Sequence, residues 1–203
     1  MRTRVATYRP MALWGVLMCA ALALPAGAES PATGIRFQKE HVKLFVRPKS
    51  IRVQGLYTFA NPESSPRREF LFYPISVDSL HPPQDYVLVR VEGGAIATKP
   101  MEGGVGFAVE VPENGSLTVE VIYEQTSLDG SGCYILTSTA AWEAPLEHAS
   151  FEIHVPDSIE LDWMAYDARA KSSGRKDRIY EFSRSNFMPE KDLCMRWSVR
   201  GRR

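Results

Sequence analysis

The sequence predicts an all-β protein, an antiparallel β-sandwich of about ten strands that is immunoglobulin-like in general shape. Apolar and polar residues alternate with a period of two in most segments after Gly34, as expected for strands that bury one face. Clusters of Gly, Pro and Asn separate these segments at intervals of about eight to thirteen residues, which is typical of sandwiches and barrels. No long segment shows helical periodicity.

The first three predicted strands lie between Val42 and Tyr73. Prolines at 48 and 74 end the first and third strands, because proline has no N–H for a β-ladder. The polar loop 61–66 separates the second strand from the third. The rows that alternate on one face are Val42, Leu44 and Val46 in the first strand and Ile51, Val53, Gly55, Tyr57 and Phe59 in the second. Phe70 to Tyr73 form a short apolar run.

The middle of the chain predicts a β-hairpin. Alternating apolar residues at 105–111 and 117–123 flank the dipeptide Asn114-Gly115. Asn-Gly is a strong hairpin signal because both residues accept positive φ angles. Asn114 also begins an Asn-Gly-Ser glycosylation sequon, which the turn alone explains.

Further strands are predicted before and after this hairpin. Residues 140–148 have room only for a short turn, since Pro145 limits any helix there. The additional strand segments are Val87 to Val91, Cys133 to Thr137, Phe151 to Val155, which stops at Pro156, and Ile159 to Trp163.

Residues 1–28 predict a cleavable secretory signal peptide. Basic residues precede an apolar run at 11–24, and small residues at 25–28 form a cleavage site before Glu29. The run is shorter than the about twenty residues that span a bilayer. We therefore expect a secreted or periplasmic mature chain, 29–203, that forms a single β-sandwich domain without a transmembrane segment.

Two alternatives to simple cleavage stay open. Cys19 could be an acylated lipoprotein cysteine, although Met18 stands where that processing needs a small residue. The run 11–24 could also remain as an uncleaved anchor. Both alternatives keep the domain outside the cytosol.

Charge divides the predicted mature chain into two parts. Residues 29–168 hold 10 basic and 20 acidic residues, whereas residues 169–203 hold 11 basic and 4 acidic residues. A basic segment can bind polyanions. Apolar residues interleave with the basic ones, however, so the segment is expected to pack on its own domain, unlike a free tail.

Cys133 and Cys194 are the two cysteines left after removal of the signal peptide. In an oxidising compartment they predict one disulfide, which closes a loop of about sixty residues. Two buried free thiols are the alternative. A catalytic thiol is disfavoured because no histidine is near either cysteine in sequence.

Sequence motifs for catalysis are weak, and no catalytic, cofactor-binding or metal-ligating residue is predicted. Phosphate-binding loops of the Walker and G-x-G-x-x-G types are absent from the sequence. Gly130-Ser131-Gly132 lacks the spacing of a nucleophile elbow and predicts a turn.

Two acidic clusters suggest further alternatives. Glu152 and His154 share an outward strand face, and with Glu147 and His148 nearby they are a conceivable metal site, although a surface pair is expected. Glu160 and Asp162 also share an outward face. They could act as the carboxylate pair of a glycoside hydrolase.

Seven aromatic residues of the predicted domain could in principle form a flat platform for sugars. Most are in phase with aliphatic residues, so core packing is expected. Trp142 differs, because its loop-like surroundings predict exposure or a position that plugs one end of the sandwich. The seven are Tyr57, Tyr73, Tyr86, Tyr123, Trp142, Trp163 and Trp197.

Two stretches carry a resemblance to known families. The segment 55–62, Gly-Leu-Tyr-Thr-Phe-Ala-Asn-Pro, followed by Phe-Leu-Phe-Tyr-Pro at 70–74, resembles exported β-sandwich modules. The segment 134–137 with Trp142, Pro145 and the strand 151–155 is similar to an uncharacterised bacterial family of secreted domains. That family usually has glycine where this chain has Ser138. The resemblance implies a fold and a compartment, and no activity.

The sequence thus favours an exported, non-enzymatic binding or assembly module of the cell envelope. We expect no cofactor and no nucleic-acid partner, and another envelope or extracellular protein as the partner. The alternatives are a carbohydrate-active hydrolase that uses Glu160 and Asp162, and polyanion binding through 169–203.

Overall fold

Strands account for nearly all of the regular structure in the computed structural model, which describes residues 34–84, 86–172 and 177–201. The strands are β1 (Arg36–Arg47), β2 (Ser50–Asn61), β3 (Arg67–Pro74), β4 (Val87–Val91), β5 (Gly94–Ala95), β6 (Lys99–Met101), β7 (Gly104–Val111), β8 (Gly115–Thr126), β9 (Ser131–Tyr134), β10 (Leu146–Pro156), β11 (Ile159–Met164), β12 (Arg169–Ser172), β13 (Asp177–Phe187) and β14 (Leu193–Val199). A 3-10 helix spans Thr137–Trp142. The all-β sandwich is as predicted, and the short strands bring the number described to fourteen.

Three sheets form the two layers of the sandwich. One layer is an eight-stranded sheet in the order β12-β13-β10-β1-β2-β8-β4-β5. The other layer consists of two three-stranded sheets, β11-β14-β9 and β3-β7-β6. Most pairings are antiparallel, but β1 and β10 pair in parallel, with Val42 opposite Phe151. A parallel pair requires a long crossover connection, and here nearly a hundred residues separate the two strands.

The core lies between the layers and consists of the inward rows predicted from the alternation. Val42 and Leu44 of β1 and Val121 of β8 are fully buried, and Phe107 of β7 faces them from the other layer. Burial of one such side chain contributes roughly 1.5–3 kcal/mol, so these rows supply most of the favourable free energy of folding.

The predicted hairpin at Asn114-Gly115 is wrong. β7 pairs with β3 and β6, whereas β8 pairs with β2 and β4 in the other layer. The connection crosses between layers and is fixed by the loop after β2, because the buried Asn61 amide donates to the Val111 carbonyl, and the Asn114 N–H donates to Glu63. A connection that crosses between layers buries the same alternate residues as a hairpin does. The alternation of apolar and polar residues therefore does not distinguish the two.

Other local predictions hold in part. The strand predicted from Cys133 to Thr137 is β9, which ends at Tyr134 because the 3-10 helix begins at Thr137. The short turn predicted at 140–148 is the end of that helix, and β10 already begins at Leu146. The predicted signal peptide, residues 1–28, lies outside the described residues. Within the described part of the chain, no helix is long and apolar enough to cross a membrane.

Candidate functional site

A cavity of about 60 Å³ lies between the layers, where edge strand β3 of one short sheet approaches edge strand β9 of the other. No ladder joins these two edges. Eight of its lining residues are aromatic, and we call it the aromatic cavity. It is lined by Phe37, Glu40, Tyr57, Phe59, Leu71, Phe72, Tyr73, Pro74, Phe107, Val119, Tyr134, Ile135, Ser138, Thr139 and Trp142.

A β-bulge in β1 brings two residues of the cavity to the same face. The register with β2 shifts between Phe37 and Lys39, so Phe37 points inward although it is three positions before the inward Glu40. Bulges commonly redirect a side chain in this way next to binding sites. The Phe37 ring then stacks on Phe59, with centroids 5.2 Å apart.

Tyr57 of β2 lies flat along its own strand because Gly55 has no side chain. A Cβ on Gly55 would overlap the ring and hydroxyl of Tyr57. In this position the Tyr57 hydroxyl lies 2.8 Å from that of Tyr73 on β3 and 3.0 Å from that of Tyr134 on β9. One hydroxyl of the long sheet therefore bridges the edges of both short sheets.

Glu40 is the charged group of the aromatic cavity and is only 3% exposed. Its Oε2 accepts a hydrogen bond of 3.2 Å from the Tyr134 hydroxyl, whereas Oε1 has no hydrogen-bond partner among the described residues. Burial raises the pKa of Glu40 to about 8, and the bond from Tyr134 only partly opposes this rise. The carboxyl is therefore mostly neutral at pH 7.

Trp142, at the end of the 3-10 helix, closes one side of the mouth. Its ring packs on Phe37 and Phe59 at centroid distances of 5.7 and 5.4 Å. Phe37 and Phe59 lie near the start of β1 and the end of β2, so Trp142 packs beside these two strand ends. Phe72 of β3 also lines the mouth and is 47% exposed.

Beyond the mouth is a second depression of about 520 Å³, which we call the outer groove. It shares Leu71, Phe72, Pro74, Ser138 and Trp142 with the aromatic cavity and adds Gly34, Ile35, Arg67, Glu69, Phe70 and Ala141. Arg67 lies 3.6 Å from Glu63 and 3.7 Å from Glu69. A ligand in the cavity could therefore extend into a more polar space.

The remaining aromatic residues divide between core and surface. Tyr123 and Trp197 are buried as expected, as are Tyr57 and Tyr73. Tyr86 and Trp163 are 63% and 55% exposed, so the core prediction is wrong for these two. For Trp163 the reason is a register shift after Leu161 in β11, which reverses the alternation.

Glu160 and Asp162 do not form a catalytic pair. Glu160 accepts a hydrogen bond of 2.7 Å from Arg200 and lies 3.6 Å from Arg178, whereas Asp162 accepts a bond from Ser198. The hydrogen bond from Arg200, followed by the charges of both arginines, lowers the pKa of Glu160. A general acid needs a raised pKa, so this pairing disfavours the hydrolase alternative.

Glu152 and His154 form the surface pair expected from β10, with His154 Nε2 3.1 Å from Glu152 Oε2. Lys43 lies 3.5 Å from the same carboxylate, and the His154 ring stacks on Phe45. Among the described residues, no group of three or more His, Cys, Asp or Glu side chains is placed to hold a metal ion.

Ser131 lies in a contact that the sequence did not predict. His81 Nδ1 is 2.9 Å from Asp78 Oδ1, and His81 Nε2 is 3.2 Å from the Ser131 hydroxyl. The Ser131 hydroxyl donates at 2.7 Å to Asp129, and His81 Nε2 also lies 3.0 Å from the Ser131 carbonyl. The cluster ties the loop around Asp78 to the segment before β9. The predicted turn at 130–132 lies slightly earlier, at 128–130, because Ser131 and Gly132 already belong to β9.

Cys133 and Cys194 occupy directly opposed positions of the β9–β14 ladder. Their sulfur atoms are 2.15 Å apart, which is disulfide distance. The pair is next to Tyr134, so it joins the edge strand of the aromatic cavity to β14.

The basic C-terminal segment is part of the folded domain. Residues 169–172, 177–187 and 193–199 are β12, β13 and β14, which belong to both layers. Several of its cations have acidic partners, since Lys171 pairs with Glu181, and Arg178 and Arg200 pair with the carboxylate of Glu160. These contacts favour packing over a polyanion-binding tail.

Glu40 and Phe37 are the site residues that the sequence analysis missed. Glu40 precedes Val42, Leu44 and Val46 in the same alternating phase, so the pattern itself indicated a buried carboxyl. A buried polar residue is more informative than an exposed apolar one. Phe37 is out of phase, and only the bulge brings it into the cavity.

Comparisons with known proteins establish the fold and no family. No protein family matches the chain, and no curated protein matches it. A candidate nutrient-binding protein from Legionella pneumophila superposes with a TM-score of 0.63 at 15% identity, over 81% of this chain and 67% of that protein. An M1 zinc metallopeptidase from Deinococcus radiodurans superposes with a TM-score of 0.50 at 13% identity, over 81% of this chain. The matched region is 42% of the peptidase, so this chain spans less than half of that length.

Proposed function

We propose that this protein is an exported, non-enzymatic binding module that takes a small organic ligand in the aromatic cavity. The observation that carries the proposal is the buried Glu40 carboxyl. Among the described residues its Oε1 has no hydrogen-bond partner, and it lies in a space lined by aromatic rings. The export part rests on the order of charged, apolar and small residues at 1–28 and on the opposed cysteines.

An unpartnered buried oxygen is a costly feature in an otherwise well-packed sandwich. Leaving such a group unsatisfied costs about 1–3 kcal/mol, and a ligand donor would recover this free energy. Apolar walls with few polar groups are also the usual composition of small-molecule sites. The likeness to a candidate nutrient-binding protein is in keeping with such a role.

The outer groove gives a ligand a route from solvent to the aromatic cavity. Phe72 and Trp142 are partly exposed and line both spaces, so a ligand can enter between them without opening the core. The described residues hold no metal cluster that would add chemistry to binding.

A thermal-shift screen of the purified protein against a panel of small organic compounds tests ligand binding. Ligands of the cavity should raise the Tm, and the variant Ser138→Trp should abolish the shift because Ser138 is exposed at the mouth. Ala140→Trp is the matched control, since Ala140 is exposed on the same 3-10 helix and lines neither space. Ligands that shift both variants equally would exclude the cavity as the site.

Export is tested separately by the N-terminal mass of protein recovered from the periplasm or medium. The proposal expects a chain that starts at Glu29. Protein retained unprocessed in the cytosol would contradict it.

A further inference from the structure

We propose that the aromatic cavity binds the ammonium end of a small organic amine, with Glu40 as its counter-ion. This inference rests on the proposed function and names the chemical class of its ligand. It combines three observations: the unpartnered carboxyl oxygen, the aromatic walls and the absence of a basic residue from the described lining.

The ionised carboxyl accepts hydrogen bonds at both oxygens, so this form selects for a donor. Oε2 of Glu40 accepts from Tyr134, and Oε1 has no hydrogen-bond partner among the described residues. A bound ammonium group donates to the free oxygen in a charge-assisted bond, which is about twice as strong as a neutral one. It can donate its other hydrogens to the hydroxyl oxygens nearby.

The walls favour a cation over an anion. Eight aromatic side chains line the cavity that contains the carboxyl, and the face of an aromatic ring attracts an ammonium ion within about 6 Å of its centroid. None of the described lining residues is Lys, Arg or His, so an anion would find no countercharge.

The size of the cavity limits the shape of the ligand. A volume of about 60 Å³ holds about four water-sized groups. This fits a primary ammonium with one or two carbons, and the rest of an unbranched stem would pass Phe72 and Trp142 into the outer groove. A bulky quaternary ammonium group is too large for it.

Binding is coupled to the release of a proton. Before an amine binds, Glu40 is mostly neutral at pH 7, since burial raises its pKa to about 8. Entry of R-NH₃⁺ converts the neutral acid to a carboxylate, so one proton leaves for each amine bound. The other titratable groups that interact with the carboxyl are Tyr57, Tyr73, Tyr134 and Tyr166. Burial raises the pKa of each of them, so these hydroxyls stay neutral.

Titration calorimetry of the purified protein with matched pairs of n-alkylamines and n-alkanols, from two to six carbons, tests this inference. At pH 9, where Glu40 is already ionised, we expect at least one amine to bind about tenfold more tightly than its alcohol, because a charge-assisted bond replaces a neutral one. Buffers of different ionisation enthalpy should show about one proton released at pH 6.5 and far less at pH 9. Glu40→Gln should remove the preference for the amine.

The outcomes separate this inference from the proposed function. Equal affinity for amine and alcohol, no binding by any amine, or a preference that survives in Glu40→Gln would overturn the inference. The proposed function would still stand if another compound class gave a thermal shift that Ser138→Trp abolishes. Proton release is measured on the unmodified protein, so the test does not depend on the folding of a variant.

Discussion

The Tyr134 hydroxyl lies 3.2 Å from Oε2 of Glu40 and is the hydrogen-bond donor that the structure gives to this carboxyl. The two residues come from opposite layers, β9 and β1. The contact therefore joins the edge of a short sheet to the middle of the long sheet at the point where a ligand would bind. Stability and binding should both depend on the protonation of this one group.

Glu40→Gln should flatten the dependence of stability on pH. The pKa of Glu40 is about 8 in the folded protein against 4.5 for the ordinary group. A raised pKa contributes stability below pH 4.5, and this stability is lost as the pH rises through 8, at up to about 1.4 kcal/mol per pH unit. The variant should therefore gain roughly 3 kcal/mol relative to the unmodified protein between pH 5 and pH 8, as measured by urea unfolding.

Glu110→Gln provides the control, because Glu110 is an exposed glutamate on β7. Its difference from the unmodified protein should be small and the same at each pH. Parallel stability curves for Glu40→Gln and the unmodified protein would show that Glu40 is ionised throughout this range and would contradict the prediction.

Gly55→Ala should destabilise the protein by about 1–3 kcal/mol. The new Cβ would overlap the Tyr57 ring, which must then leave its position over β2 and lose its contacts with the Tyr73 and Tyr134 hydroxyls. Gly94→Ala is the control, since its Cβ would lie 3.5 Å from the Val91 carbonyl, an ordinary contact. Equal unfolding free energies for the two variants would show that Tyr57 has room to adjust.

Alternation in the sequence predicts most of the strands and their buried faces. It does not predict which strands pair, because Val111 and Leu117 face the core equally well from one sheet or from two. The Asn61 side chain and the Glu63 carbonyl decide this, and both act across about fifty residues of sequence. Such contacts are not visible in local periodicity.

The candidate site also depends on contacts between residues that are distant in sequence, which local periodicity does not predict. Glu40 is in phase with Val42 and could have been recognised as a buried carboxyl. Its neighbours could not, since Phe37 requires a bulge and Tyr134 comes from a strand ninety-four residues away. A seam between two sheet edges is a property of the whole fold, and the aromatic cavity forms only there.

Cys133 and Cys194 should form a disulfide in protein produced in an oxidising compartment. The unreduced protein should then take up no alkylating reagent, and reduction should expose two thiols by mass. The bond would close a loop over a sequence separation of 61. The chain-entropy account gives about 4 kcal/mol for such a loop, so the double variant Cys133→Ala, Cys194→Ala should be less stable by about that amount. Two alkylated cysteines in the unreduced sample would refute the disulfide.

Binding to heparin should be weak, so the protein should elute from a heparin column at a salt concentration below the physiological one, about 0.15 M. Arg178 and Arg200 share Glu160, and Lys171 pairs with Glu181, so part of the positive charge of 169–203 is already compensated. Ionic screening removes the weak attraction that remains. Retention on a heparin column above about 0.15 M salt would contradict this prediction and would support polyanion binding by residues 169–203.

Ser131 should be a structural residue despite its contact with His81. Its hydroxyl donates to Asp129 at 2.7 Å, which is shorter than the 3.2 Å to His81 Nε2, and its own N–H is bound by Ser127 and Asp129. That N–H is therefore not free to stabilise an oxyanion, as a serine hydrolase requires. Ser131→Ala should leave the hydrolysis of p-nitrophenyl acetate unchanged, and fluorophosphonate probes should not label the protein.

His81→Ala should instead reveal the role of this cluster through stability. The ring is buried and links Asp78 to the 127–131 loop, so its removal should cost about 1–3 kcal/mol by leaving buried polar groups without their partner. His154→Ala is the comparison, since that histidine lies on the outer face of β10 and should cost less. The contrary outcome is a burst of p-nitrophenol from p-nitrophenyl acetate with the unmodified protein. If His81→Ala and Ser131→Ala both abolish this burst without a loss of stability, the cluster is a catalytic site.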